Sequence, residues 1–190
     1  MRIGLFGGTF NPVHQGHLLL AEGAREQLLL DQLLWIPANA PPHKPLEGNA
    51  TPEERCRMVE LAIAGHPAFR LSRIELDRPA PSYTIETVRQ LQAQSPDKNT
   101  DWFFLIGSDL VETLPTWRES DALRRLVQFV VIPRPGALPA DYPADVKQLP
   151  IKTPDLCAAD IRRQVREGKS IAGSVPEPVH RYIQERRLYR

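Results

Sequence analysis

The segment Gly7–His17, GGTFNPVHQGH, concentrates residue types that can handle a phosphate. It follows a short apolar run, Ile3–Phe6, and leads into a stretch of helical periodicity. Glycines between a strand and a helix let an anion approach the backbone amides at the helix start, where the peptide dipoles favour negative charge. Gly7 and Gly8 form such a floor. His14 and His17 stand three apart, so a helix opened by Gln15 puts both near its first turn and on one side. Two imidazoles then face one anion. A bound polyphosphate favours their protonated forms, and both can donate to oxygens that gain charge as a leaving group departs. Taken singly the parts are weak: Gly-Gly after a strand is often only a turn, and His-x-x-His often only surface. Zinc is the alternative ligand for the two histidines, yet a catalytic zinc needs about three protein ligands, and no Cys, His or carboxylate cluster nearby has the spacing. The segment matches neither GxGxxG nor GxxxxGK[ST], so hydride transfer and P-loop kinase chemistry lose their warrant.

Other residues stand where a ligand crevice would place them. Asp109 follows the fourth apolar run, where an acidic group can accept from ribose hydroxyls; its alternative role is to cap the next helix. Trp117 follows Pro115 and Thr116 in a loop, and its indole suits either stacking on an aromatic ring or the core. Ser82, Tyr83 and Thr84 precede or open a helical run and offer amides and hydroxyls to a carboxylate, or simply an N-cap. His43 and Lys44 read as loop charge. The sequence carries no Ser-His-Asp or Cys-His constellation for covalent catalysis.

The elements that must position these groups follow from the apolar pattern. Short runs at Ile3–Phe6, Leu33–Ile36, Phe69–Leu71, Trp102–Ile106 and Val127–Ile132 predict strands, with a possible sixth near Leu149–Ile151. Helical spacing covers Leu18–Leu30, Pro52–Ala64, Thr84–Gln94, Ala122–Leu126, Ala158–Arg166 and Glu177–Arg186. This alternation is the signature of an α/β fold, a parallel sheet covered by helices. Proline-rich stretches at Pro37–Pro45, Arg78–Pro81 and Pro133–Pro143 predict loops, because proline neither donates to a ladder nor continues a helix. No repeat or linker divides residues 1–190, so a single domain with two short last helices appended to one core is expected. The 24 Lys and Arg nearly cancel the 23 Asp and Glu, so no global field holds duplex nucleic acid or anionic lipid. Cys56 and Cys157 suit neither a disulfide framework nor a thiolate zinc motif. With no signal-peptide pattern and no apolar run of about 18 residues, a cytoplasmic, unanchored protein is expected.

The segment GTFNPVHQGH closely resembles the first motif of the HxGH nucleotidyltransferases, and nearly the whole chain resembles their nicotinate mononucleotide adenylyltransferase branch. The resemblance implies a Rossmann-like, doubly wound parallel sheet of about five to six strands with a short helical C-terminal appendage. It implies transfer of AMP from ATP to nicotinate mononucleotide, with Mg²⁺ delivered by ATP, in NAD biosynthesis. Gly7, Gly8, Thr9 and Phe10 match the ATP-binding motif, and His14 and His17 its catalytic pair. PANAPPHK, Pro37–Lys44, resembles a loop in which Asn39 touches the acceptor and Lys44 reaches phosphate. PSYT, Pro81–Thr84, resembles the nicotinate-recognition segment. IGSD, Ile106–Asp109 with Gly107, and the following PTW ending at Trp117 resemble segments that hold ribose or adenosine and stack on the pyridine ring. Arg134 matches a residue near adenine, and VPEPVHRYIQERRLY a structural terminus.

One segment departs from the pattern. Leu156–Arg162 lacks the Ser and Thr that the resemblance expects ahead of Ile161 and Arg162, leaving Arg162 and backbone amides at the phosphates, with Asp160 adding like charge. A lost bond to a charged group is worth about 1.5–3 kcal/mol, at least tenfold in ATP affinity unless something substitutes. Asn11 also stands where the motif usually has Asp. Nicotinamide mononucleotide or phosphopantetheine as acceptor, CTP as donor, a non-catalytic nucleotide-binding module and a protein that kept only the fold are the alternatives. The sequence leaves a homo-oligomer open.

Overall fold

The computed structural model describes residues 1–39, 48–133, 142–152 and 154–190. Six strands form one parallel sheet: β1 (Arg2–Gly8), β2 (Gln32–Pro37), β3 (Phe69–Leu71), β4 (Asp101–Gly107), β5 (Gln128–Ile132) and β6 (Val146–Gln148). Between and after them run α1 (Gln15–Leu28), α2 (Pro52–Ile63), α3 (Thr84–Gln94), α4 (Ser120–Leu126), α5 (Ala158–Arg166) and α6 (Glu177–Glu185). The spatial order β3-β2-β1-β4-β5-β6 means that the chain winds outward from β1, returns to its other side at β4 and winds outward again. Parallel sheets bind ligands at the carboxyl ends of the strands where that reversal occurs, here between β1 and β4. Phe6 pairs with Leu105, which sets Gly7 and Gly8 beside Ile106 and Gly107 at the mouth of this crevice.

Strand side chains alternate between two buried layers, as the pleat requires. Phe6, Leu33, Trp35, Phe103, Leu105, Val130 and Ile132 point to one, which α1, α2, α5 and α6 cover. Leu5, Ile36, Phe104, Ile106, Phe129 and Val131 point to the other, which α3 and α4 cover. Val179, Ile183, Leu188 and Tyr189 belong to the first layer, so the last helix shares the core of α1 and α2.

Two expected boundaries shift. The sixth strand is Val146–Gln148, ahead of Leu149–Ile151: Leu149 still donates to Val131, but Pro150 has no N–H to extend the ladder. Ile151 instead packs against α1 at Gly23. Helix α1 begins at Gln15, not Leu18, and stops where Leu29 turns left-handed at φ 51°. The loop expectations at 40–45 and 134–141 lie outside the described residues.

Candidate active site

The floor of the crevice is the loop from β1 to α1. Gly7 is exposed at the strand end, and a Cβ there would lie 3.5 Å from the Phe104 ring. Thr9 is half-buried, and its carbonyl accepts from Arg55. Phe10 adopts φ 49°, a conformation that costs a non-glycine residue on the order of 1–3 kcal/mol unless its surroundings enforce it. The enforcement is visible: its ring is 2% exposed and packs on Phe6, His17 and Trp35. The Phe10 side chain thus belongs to the first buried layer, and only its backbone faces the crevice. Ile106 likewise turns its side chain into the second layer.

His14 and His17 come together as expected. Their ring centroids are 3.7 Å apart with planes inclined 32°. His14 precedes the first turn of α1, and its backbone N–H donates to His17 Nδ1 at 3.2 Å. An Nδ1 that accepts carries no proton, so His17 bears its hydrogen on Nε2 and donates there as a neutral imidazole. Between them lies Gly16, which sequence reasoning passed over. A Cβ at this position would stand 3.1 Å from His14 Nδ1, so a side chain here would push the His14 ring by a few tenths of an ångström, and 3.8 Å from Leu156. The second contact brings Leu156, just ahead of α5, beside the start of α1.

At that second terminus Cys157 precedes α5, and its side chain makes no capping bond. Ala159 is exposed, and Asp160 pairs with Arg163 at 2.7 Å. Arg162 is buried and donates through Nη1 to the carbonyl of Asn11 at 2.8 Å, so it braces the phosphate loop.

Sequence reasoning missed Arg55. It is fully buried and donates to the carbonyls of Thr9 (2.7 Å), Ala38 (2.7 Å) and Asn39 (2.9 Å), tying the β1–α1 loop to the segment after β2. Burial pushes its pKa down, against the pull of Tyr189 and Cys56. The signal was its register: Arg55 recurs with Met58, Val59 and Ile63 on the buried face of α2.

On the other side of the crevice, Asn39 donates to the carbonyl of Arg78 at 3.1 Å. Arg78 donates to Thr87, which donates to Glu75 at 2.9 Å. Tyr83 precedes α3 and Thr84 opens it; the helix has no side-chain cap, so Ser82 and Thr84 are not spent on capping. Ser82 is buried, and Tyr83 stacks under the Arg118 guanidinium at 4.6 Å. Gly107 ends β4, and Asp109 lies exposed in the 3₁₀ turn Ser108–Leu110, well before α4. Trp117 is half-buried. Its edges meet Phe104 and Phe129, and its indole N–H donates to Thr113. Because Phe104 also reaches Gly7, Trp117 stands beside the crevice mouth. Lys44, with His43, and Arg134 lie outside the described residues. Among the described residues no group of three or more His, Cys, Asp or Glu could hold a metal ion.

Residues 5–164 match the cytidylyltransferase-like family. A "probable nicotinate-nucleotide adenylyltransferase" of Synechococcus sp. (strain JA-3-3Ab) is 45% identical over 197 residues, covering 99% of this chain and 94% of the relative. A protein of the same description from Geobacillus kaustophilus is 44% identical over 99% of this chain and 86% of its own. Among solved structures, Plasmodium falciparum nicotinic acid mononucleotide adenylyltransferase complexed with NaAD shares the fold at a TM-score of 0.79 and 18% identity, over 99% of this chain and 97% of that one. Sequence identity along nearly the whole length, on a sheet that brings the glycine floor and two stacked histidines to its reversal point, decides the matter: the chain belongs to the cytidylyltransferase-like family and, within it, to the nicotinate-nucleotide adenylyltransferases.

Proposed function

We infer that the chain transfers AMP from ATP to nicotinate mononucleotide, releasing pyrophosphate and forming nicotinate adenine dinucleotide for NAD biosynthesis. The observation that carries this reading is the His14–His17 pair at the α1 terminus, next to a glycine floor, in a chain 45% identical to a curated relative of that description. A phosphate monoester has a second pKa near about 6 and is already ionised at neutral pH, so attack on the α-phosphorus needs no general base. The protein's part is to align the two nucleotides and to stabilise charge on the departing pyrophosphate. His17 supplies an Nε2–H for this without a proton-transfer step, and the amides at the starts of α1 and α5 add their dipoles.

The donor is MgATP, whose cation the phosphates and water hold more than protein ligands do. On the acceptor side Trp117 stacks on the pyridine ring, with Asn39 and the Ser82–Thr84 segment at its polar groups. Asp109 and Gly107 take the adenosine side, and Lys44 and Arg134 complete the phosphate and adenine contacts. Arg162 acts on the phosphates through the loop it braces. Two free cysteines, one exposed, suit a reducing cytoplasm. Among the described residues no helix is long and apolar enough to cross a membrane.

Pyrophosphate release from MgATP, measured with nicotinate and with nicotinamide mononucleotide, tests the reading. Release is expected with the acid and at least about tenfold less with the amide, since a site aimed at a carboxylate loses a charged bond with the amide. Equal release with both would overturn the acceptor assignment, and none with either would overturn the activity.

A further inference from the structure

The last residues of the chain are built into the phosphate loop. Tyr189 is 1% exposed, and its hydroxyl donates to Asn11 Oδ1 at 2.7 Å, three residues before His14. Asn11 is itself buried, and its carbonyl accepts from Arg162. The tyrosine is held from behind. Its backbone N–H donates to Asn49 Oδ1 at 2.7 Å, and Asn49 donates to the carbonyl of Arg187. Gly48, at φ +87°, lies so close that a Cβ would come within 2.9 Å of the Tyr189 ring. Arg187 and Tyr189 both sit in the left-handed region, at φ 52° and 64°. Two non-glycine residues keep this backbone only where their surroundings over-determine it. This terminus is therefore a fixed support, and its contact with the catalytic half of the molecule is a side-chain hydrogen bond into the loop that carries His14.

Resting on the adenylyl-transfer reading, we propose that Tyr189 is a positioning residue for that reaction: its hydroxyl fixes Asn11 and so sets the β1–α1 loop and the His14–His17 pair. The consequence runs along the loop. Asn11 lies between the left-handed Phe10 and the Pro12–Val13 approach to His14, whose N–H in turn holds His17 Nδ1. Losing the hydroxyl removes the Tyr189 hold on Asn11 Oδ1, which loosens the loop and with it the His14 amide against His17. Burial pushes the Tyr189 pKa up against the pull of Arg162 and Arg55, so the hydroxyl keeps its proton and remains the donor throughout the working pH range.

Tyr189→Phe deletes the hydroxyl and keeps the ring that fills the space beside Gly48. With a thermal melt confirming a folded variant at the assay temperature, kcat for pyrophosphate release should fall roughly tenfold while KM for ATP and acceptor stay within about twofold, because alignment and not ground-state binding is lost. In Asn11→Ala the hydroxyl has nothing to hold, so adding Tyr189→Phe should slow that variant no further. A second readout needs no turnover: nitrogen NMR of the histidine rings, without nucleotide, should show His17 as the Nε2–H tautomer in the wild type and a mixture in Tyr189→Phe. Wild-type kcat per folded molecule, additive losses in the double variant, or an unchanged His17 signal each overturn the proposal. Were the wild type itself inactive, the activity reading would fall while the NMR comparison still decided the role of Tyr189.

Discussion

The two histidine rings lie together at the start of α1, and one of them is tied to the backbone of the other. His17 holds the His14 amide with Nδ1 and is left with Nε2–H as a donor. His17→Ala should lower kcat about 10²- to 10³-fold, the usual loss for one donor to a developing anion, with KM for ATP within a few-fold. Steady-state kinetics that show a large KM change with kcat intact would sink this role. Trp117 serves two ends at once, since its edges pack on Phe104 and Phe129 while the residue as a whole stays half-buried. Trp117→Ala should thus raise the acceptor KM at least about tenfold by loss of ring stacking and also cost about 2 kcal/mol of stability, less than the 3–5 typical of a fully buried aromatic. Titrating nicotinate mononucleotide into the folded variant checks the first part; acceptor affinity equal to wild type would leave Trp117 a packing residue alone.

Helix α2 does more than cover the sheet, because its buried Arg55 joins the β1–α1 loop to the segment after β2. Arg55→Met keeps the apolar stem and removes all three carbonyl contacts, so denaturant unfolding should lose about 3 kcal/mol, and both KM values should rise. Unchanged stability would mean that water or a neighbour satisfies those carbonyls. At α5, the exposed Ala159 has room for a hydroxyl beside the helix amides. Ala159→Thr should tighten MgATP several-fold in calorimetric titration, short of the full value of a charged bond of about 1.5–3 kcal/mol, because an ordered side chain loses rotamer freedom. Unchanged affinity would show that α5 does not reach the phosphates. Strands β1 to β5 and the helices were legible because their apolar residues recur with the right length and period. The closeness of His14 and His17 was legible because two residues three apart at a helix start face one side. Arg55 was not, since a charged residue in a helix reads as solvent-facing until its carbonyl partners, distant in sequence, are brought to it. At Phe10 and Ile106 the motif position does not reveal that the side chain turns into the core. Leu149–Ile151 looked like a strand because hydrophobicity says nothing of the N–H that Pro150 lacks.

Across the whole molecule, the sheet separates the layer under α1, α2, α5 and α6 from the layer under α3 and α4, and stability must hold the two in register. The segments after β2 and β3 are joined by a chain of polar groups: Asn39 to the Arg78 carbonyl, the Arg78 guanidinium to Thr87, and Thr87 to the Glu75 carboxyl. Burial pushes the Glu75 pKa above its ordinary 4.5, against the Thr87 hydrogen bond, the charge of Arg78 and the Ser82 hydroxyl. A raised acid binds its proton more tightly folded than unfolded. Its contribution to stability is therefore complete below the ordinary value of 4.5 and is lost as pH climbs through the raised folded value. Gln at this position can still accept from Thr87 but cannot ionise. Glu75→Gln should accordingly match the wild type in acid and become the more stable of the two as pH rises, with the difference levelling off once Glu75 is fully charged in both states. Thermal melts of the two proteins at stepped pH read this directly. A difference that stays constant across the whole range would mean that the Glu75 charge is as well solvated in the folded protein as in the unfolded chain, and that Arg78 offsets its burial.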